Sequence, residues 1–319
     1  MDLVALDALW TELAGVPRAH AAATRGARRT SGVVFTPAPL AAFVARHTLA
    51  PLVAGRGAIS VLDPAAGDGR FLAAAATALR ELGAGADRVR LIGIERDAEL
   101  AAAARARVPA ARIIVGEALL DPAAAVGEVD AVIGNPPYVR SIRLRQSDPV
   151  LWRALRGRFA ATSHGEWDLY AAFLERSLGW VRPGGRVGLV VPSRWLTARA
   201  AGGLRAELAA AHALRALIDF GAAQVFPDAT TYASVVVLER AAGGARAGPV
   251  SVARHDAAGW HVGELDGDLL GAAPWVLPVG GAARAFARLA GGPTLGDVAR
   301  IAKGAGTNAD PVFVLPDAI

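Results

Sequence analysis

The sequence predicts an α/β fold in which a mostly parallel sheet is covered by helices on both faces. Two observations predict it. From Ser31 to about Arg240, short β-branched runs alternate with alanine-rich helical stretches. The strand runs are also almost wholly apolar rather than alternating, as strands buried on both faces must be.

The elements follow in order. Residues 1–30 read as an amphipathic helical arm ending in Arg25, Arg28 and Arg29. A first strand, Ile59–Leu62, passes through a glycine-bearing turn into a helix, Phe71–Leu82. Val89–Ile94 is the second strand and is followed by the helix Ala98–Arg107. Arg112–Val115 and Val129–Ile133 are the third and fourth strands, and Leu169–Val181 the next helix. A Pro183-Gly184-Gly185 turn leads into the fifth strand, Arg186–Val191. Leu214–Asp219 and Ala233–Leu238 have a short connection, which predicts an antiparallel hairpin at one edge of the sheet.

Ala241–Gly248 reads as a linker. Beyond it only short strand-like pieces occur, around Val250–Arg254 and Val312–Leu315. The predicted organisation is an arm (1–30), a main domain (31–240), and a linker with part of a further domain (241–319). Lys303–Asn308 looks like the opening of that further domain, so the chain is expected to be part of a longer protein.

Composition narrows the chemistry. The net charge of +5 suits a polyanionic partner. Lys303 is the only lysine among 34 basic residues, however, a skew that a GC-rich genome produces unaided. No apolar run reaches the roughly 18 residues of a membrane span, and no signal peptide is visible, so a cytoplasmic protein is expected. Cysteine is absent, which excludes disulfides, thiolate metal sites and a cysteine nucleophile. Methylation at C5 of cytosine, which needs that nucleophile, is excluded with them. The six histidines have no metal-ligand spacing, and no metal is expected.

Three strand ends carry the first half of a site. Asp63-Pro64-Ala65-Ala66-Gly67-Asp68-Gly69 joins the first strand to its helix, where glycines let the backbone approach a ligand. The second strand ends in Glu95, placed to hold two ribose hydroxyls, and the third leads into Glu117. Glycine turns alone fit any βαβ unit. A nicotinamide fingerprint would need a third glycine where Leu72 stands, so the three acids favour S-adenosylmethionine.

The fourth strand runs into Gly134-Asn135-Pro136-Pro137-Tyr138. Two prolines fix this backbone and remove two N–H donors, leaving a surface of acceptors. The Asn135 side-chain oxygen and the Pro136 carbonyl can accept both protons of an amino group. The nitrogen is thereby drawn towards a pyramidal shape, with its lone pair aimed at a methyl donor. Tyr138 offers a flat face for a base.

On these residues the chain resembles the gamma-class DNA adenine-N6 methyltransferases, over roughly residues 30–240. Phe35-Thr36-Pro37, Asp63–Phe71, Glu95, Glu117, Asn135–Tyr138 and Val225-Phe226-Pro227 stand in the family's order. The resemblance implies a class I S-adenosylmethionine-dependent methyltransferase fold, Rossmann-like, with a seven-stranded sheet. It implies that Thr36, Asp63, Ala65 and Gly67 cradle the methionine part of the cofactor. Glu95 would take the ribose and Glu117 the cofactor's adenine. Asn135, Pro136, Tyr138 and Phe226 would form the catalytic set, with Tyr138 and Phe226 covering the two faces of a flipped adenine. Two departures stand out: the family has aspartate where Glu117 stands and an apolar residue where Arg96 stands. Double-stranded DNA is the implied partner, an accompanying restriction nuclease is open, and a monomer is expected.

The stretch Arg140–Arg158, with six arginines, reads as a loop beside the reacting centre that can track DNA phosphates. Competing readings are a protein glutamine methyltransferase, an rRNA N2-guanine methyltransferase and a non-catalytic DNA-binding module. The first two usually lack the Phe-Thr-Pro and Val-Phe-Pro segments. An intact Asn135–Tyr138 argues against the third.

Overall fold

The computed structural model describes residues 3–16, 36–54, 57–120, 126–226, 232–243, 248–277 and isolated positions up to 299. Two compact units divide the chain at Gly280 and Gly281, and the first holds every element named below. Arg25, Arg28, Arg29, Phe35, Pro227, Lys303–Asn308 and the strand-like Val312–Leu315 lie outside the described residues.

After α1 (Leu3–Ala14) and α2 (Ala38–Val53) come β1 (Ile59–Asp63), α3 (Arg70–Glu81), β2 (Val89–Glu95), α4 (Ala98–Arg107), β3 (Arg112–Val115) and β4 (Val129–Gly134). Two short helices follow, α5 (Ser141–Ser147) and α6 (Pro149–Leu155). Then come α7 (Leu169–Trp180), β5 (Val181–Pro192), α8 (Gly202–Ala210), β6 (Leu214–Asp219), β7 (Ala233–Glu239), β8 (Pro249–Asp256) and β9 (Gly259–Asp266). The sheet order is β3-β2-β1-β4-β5-β7-β6-β8-β9.

Alternation of side chains across the strands makes two cores. Val61, Ala131 and Ile133 face α1 to α4, whereas Leu62 and Val132 face α7 and α8. The fold class is as predicted, α/β with a mostly parallel sheet, but two expectations are corrected. First, β6 and β7 do pair antiparallel, but not at an edge of the sheet. β7 inserts antiparallel between β5 and β6, with Leu189 opposite Val236 and Leu217 also opposite Val236. Its residues are buried on both faces, as an interior strand's must be.

Second, the sheet has nine strands among the described residues, not seven. The β8–β9 hairpin pairs with the free edge of β6, in parallel register through Ala216 and Ser251. Residues 249–266, assigned to a further domain from the sequence, thus belong to the same sheet. Past β9, the chain returns to α8 and the segment after β5. Arg205 in α8 is only 2% exposed and donates to the carbonyls of Trp195, Ala198, Ala272 and Ala273. Trp275 adds a backbone bond to Leu196 O at 2.7 Å and an edge contact with Trp195.

Candidate active site

The carboxyl ends of β1 to β4 enclose a cavity of about 370 Å³. This is the crevice that an open parallel sheet offers a ligand. Thr36, Asp63, Ala65, Gly67, Glu95, Glu117 and Asn135 all line it. The structure therefore brings together seven residues spread over 100 positions of sequence, from Thr36 to Asn135.

The β1 loop is held open by its backbone. Gly67 and Gly69 have φ of 54° and 83°, left-handed values that residues with a Cβ rarely adopt. Asp63 is 1% exposed, and its Oδ1 accepts the Ala65 N–H at 3.1 Å. Burial pushes the Asp63 carboxyl up to about 8, more than the Ala65 amide pulls it down. Asp68 braces the loop from behind, receiving Arg70 Nε and Arg107 Nη2 at 2.9 Å each.

Glu95 links two loops. Its Oε2 accepts the Gly67 N–H at 2.8 Å and its Oε1 the Asp97 N–H at 2.9 Å. Glu117 accepts the Leu119 N–H at 3.0 Å and faces Arg96 Nε at 3.2 Å. Burial raises the Glu117 carboxyl, against the lowering effect of the Leu119 amide and the Arg96 charge. Arg96, which stands where the resembled family has an apolar residue, also reaches Asp148 Oδ2 at 2.7 Å.

Asn135 owes its position to the glycine before it. A Cβ on Gly134 would lie 2.7 Å from Asp63 Oδ1, so only glycine lets β4 end beside Asp63. The Asn135 amide then donates from Nδ2 to Thr36 Oγ1 at 3.0 Å, which fixes the side chain against the buried threonine. The turn is fastened to α7 by the Leu169 N–H, which donates to Val139 O at 2.8 Å.

Pro136 and Tyr138 do not line the cavity. Pro136 is buried, and Tyr138 is half-buried with its hydroxyl 3.4 Å from Val190 O. The Tyr138 ring meets Tyr170 and Phe226 edge-on, at centroid distances of 6.1 and 6.2 Å. Phe226 departs from expectation. It is fully buried at 0% exposure, and its ring plane makes 72° with that of Tyr138. A base held between two aromatic faces needs them near parallel. This Phe226 instead fills the core beneath Tyr138, so the two rings form no sandwich here.

The stretch Arg140–Arg158 is not a loop either. It folds into α5 and α6, separated by Asp148, whose side chain caps α6 by accepting the Leu151 N–H at 2.9 Å. The signal was present in the sequence as Asp148-Pro149, a cap residue followed by proline at the first helical position. Leu144, Ser147 and Asp148 from this pair, with Leu169 and Phe173 from α7, complete the cavity wall. Apolar helix positions of this kind carry no sequence mark that distinguishes a cavity wall from a core.

Comparison with known proteins agrees with this arrangement. A family described as "Eco57I restriction-modification methylase" matches residues 99–226. The type II methyltransferase M.XhoI of Xanthomonas vasicola is 37% identical over 125 residues, which are 39% of this chain and 22% of that protein. The type II methyltransferase M.PaeR7I of Pseudomonas aeruginosa is 30% identical over 207 residues, 59% of this chain and 35% of its own length. The chain thus spans about a third or less of these relatives. Among solved structures, one described as a class I S-adenosylmethionine-dependent methyltransferase from Listeria monocytogenes superposes with a TM-score of 0.55 at 18% identity. That superposition covers 69% of this chain and 65% of the other, and it bears on the fold alone. The cavity at the strand ends, the Asn135–Tyr138 turn and these matches lead to one conclusion: the chain has the class I methyltransferase fold, and its residues 99–226 are similar to the restriction-modification methylases.

Proposed function

We propose that the protein transfers a methyl group from S-adenosylmethionine to N6 of an adenine flipped out of duplex DNA. The observation that carries this reading is the Asn135 side chain, held by Thr36 at the wall of a cavity ringed by Asp63, Glu95 and Glu117. The residues fit the cofactor. Asp63, Ala65 and Gly67 would hold its methionine end, Glu95 its ribose hydroxyls and Glu117 its adenine. When bound, the cofactor supplies an electrophilic methyl on a sulfonium.

The chain's own residues then act on the target amine. Because Asn135 Nδ2 donates to Thr36, the amide oxygen is the atom turned to accept an amino proton. The Pro136 carbonyl accepts the second. Two acceptors draw the N6 lone pair out of conjugation with the ring, which lowers the barrier to attack without a strong base. N6 of a paired, stacked adenine cannot reach this wall, so the base must leave the helix. Tyr138 is the residue offered to its face. Duplex DNA is the partner on this reading. The protein acts as a monomer in the cytoplasm, and its methylation protects DNA from an accompanying nuclease.

Incubation with tritiated S-adenosylmethionine and separate DNA, RNA and protein substrates tests the proposal. Label should appear in DNA and, after digestion, in N6-methyl-2′-deoxyadenosine. Label in a glutamine side chain or in guanine N2 would replace this reading with a competing one.

A further inference from the structure

Arg96 and Asp148 lie 52 positions apart, and their ion pair joins two surfaces that the reaction uses separately. On one side is the cavity. Arg96 and Asp148 both line it, and Arg96 also faces Glu117 at 3.2 Å. On the other side is the outer face of α5 and α6. Arg143, Arg145, Arg153 and Arg156 are exposed there, and Arg145 and Arg156 flank the ring of Trp152 at 5.9 and 5.3 Å. Asp148 is the joint between the two helices. Its N–H closes α5 on Leu144 O at 2.8 Å, and its Oδ1 opens α6. The inner sides of both helices, through Leu144, Leu151 and Leu155, pack into the main core.

We infer that Arg96 and Asp148 form a latch that couples cofactor binding to DNA binding, with α5–α6 as the element it positions and the DNA backbone as the partner of its outer face. The inference rests on reading the cavity as the S-adenosylmethionine site. A ligand seated against Glu117 and Arg96 holds the arginine in place, and the arginine holds Asp148. The joint between the paired helices is thereby fixed, and with it the arginines offered to the phosphates. Linkage requires the converse too: bound DNA tightens the cofactor by the same factor. Four exposed arginines on one short helical pair offer a polyanion concentrated positive charge, and their contribution should depend on salt. Arg96 and Asp148 are positioning residues here, acting on DNA through the helices they fix.

The test measures a ratio within each protein. A fluorescein-labelled duplex is titrated with the 319-residue protein, with and without saturating S-adenosylhomocysteine, and calorimetry gives the affinity for S-adenosylhomocysteine alone. In the unaltered protein the duplex Kd should fall about fivefold or more when the ligand is present. Asp148→Asn keeps an acceptor for the α6 cap but loses the charge that Arg96 meets, and its ratio should fall close to one. Arg96→Gln should do the same, and it carries the test if Asp148→Asn fails to fold by circular dichroism. Arg143→Gln combined with Arg156→Gln should weaken the duplex and flatten its salt dependence. If S-adenosylhomocysteine binds but the ratio is one in the unaltered protein, or is unchanged in both latch variants, this inference fails alone. An unchanged duplex Kd and salt slope in the arginine double variant also overturns it. If S-adenosylhomocysteine does not bind, the cofactor reading and the latch fail together.

Discussion

Thr36 and Asn135, 99 positions apart, are joined by a 3.0 Å hydrogen bond in which the asparagine amide donates to the threonine hydroxyl. The bond decides which way the Asn135 amide faces. A residue in the segment before α2 thereby orients the side chain proposed to meet the substrate. Asn135→Ala should lower turnover on the order of 100- to 1000-fold, with little change in cofactor affinity. Thr36→Val keeps the shape but removes the acceptor, and should slow turnover by about tenfold, the value of one such bond. Single-turnover kinetics beside calorimetric binding of S-adenosylhomocysteine separate the two effects. Half the normal rate in Asn135→Ala would remove it from the reacting centre.

Asp63 makes a pH prediction. Its carboxyl is raised by burial from 3.8 to about 8, so the folded protein keeps a proton that the unfolded chain has lost. Stability should therefore fall as pH rises from about 4 to about 8, and this contribution should level off above that. Asp63→Asn has no such group. Relative to the unaltered protein it should gain stability across that window, with an upper bound on the order of 5 kcal/mol. Urea unfolding at a series of pH values checks this. A difference that stays constant with pH would mean that Asp63 ionises normally.

Phe226 is expected to act through packing. It is fully buried and meets Tyr138 edge-on, so Phe226→Ala should destabilise the protein by roughly 3 kcal/mol or more. Phe226→Leu, which refills most of the space, should recover stability and most of the methylation rate. Tyr138→Phe, which retains the ring, should keep activity, whereas Tyr138→Ala should lose it. A 2-aminopurine at the target adenine reports flipping in each variant. Full stability with lost flipping in Phe226→Leu would return Phe226 to the base-stacking role.

Arg205 fastens the segment around residues 271–275 to the catalytic unit. Arg205→Met removes donors from four carbonyls, those of Trp195, Ala198, Ala272 and Ala273. Buried carbonyls left unmet cost about 1–3 kcal/mol each where water cannot replace the partner. Thermal unfolding should shift downward, and limited proteolysis should cut first near 271–275. Unchanged cleavage there would show that Trp275 and its backbone bond to Leu196 suffice.

The sequence by itself determined the local elements and most of the residues that line the cavity. Apolar runs placed β1 to β4 to within a residue, and the acids and the Asn-Pro-Pro-Tyr turn fell at strand ends because a strand–turn–helix unit puts them there. Seven of the ten residues chosen from the sequence meet in one cavity. The Arg140–Arg158 helices were also legible in Asp148-Pro149, although the arginines alone suggested a loop. What only the tertiary structure decided is partnership across long separations. The insertion of β7 between β5 and β6 and the addition of β8–β9 to β6 are choices among edges, and hydrophobic period is the same for every choice. The Arg96–Asp148 pair, the Arg205 clamp and the burial of Phe226 depend on which distant surfaces meet. Periodicity reports how one segment turns its side chains. It holds no information about which other segment those side chains will touch, and that contact is where this fold ties its cavity to its outer face.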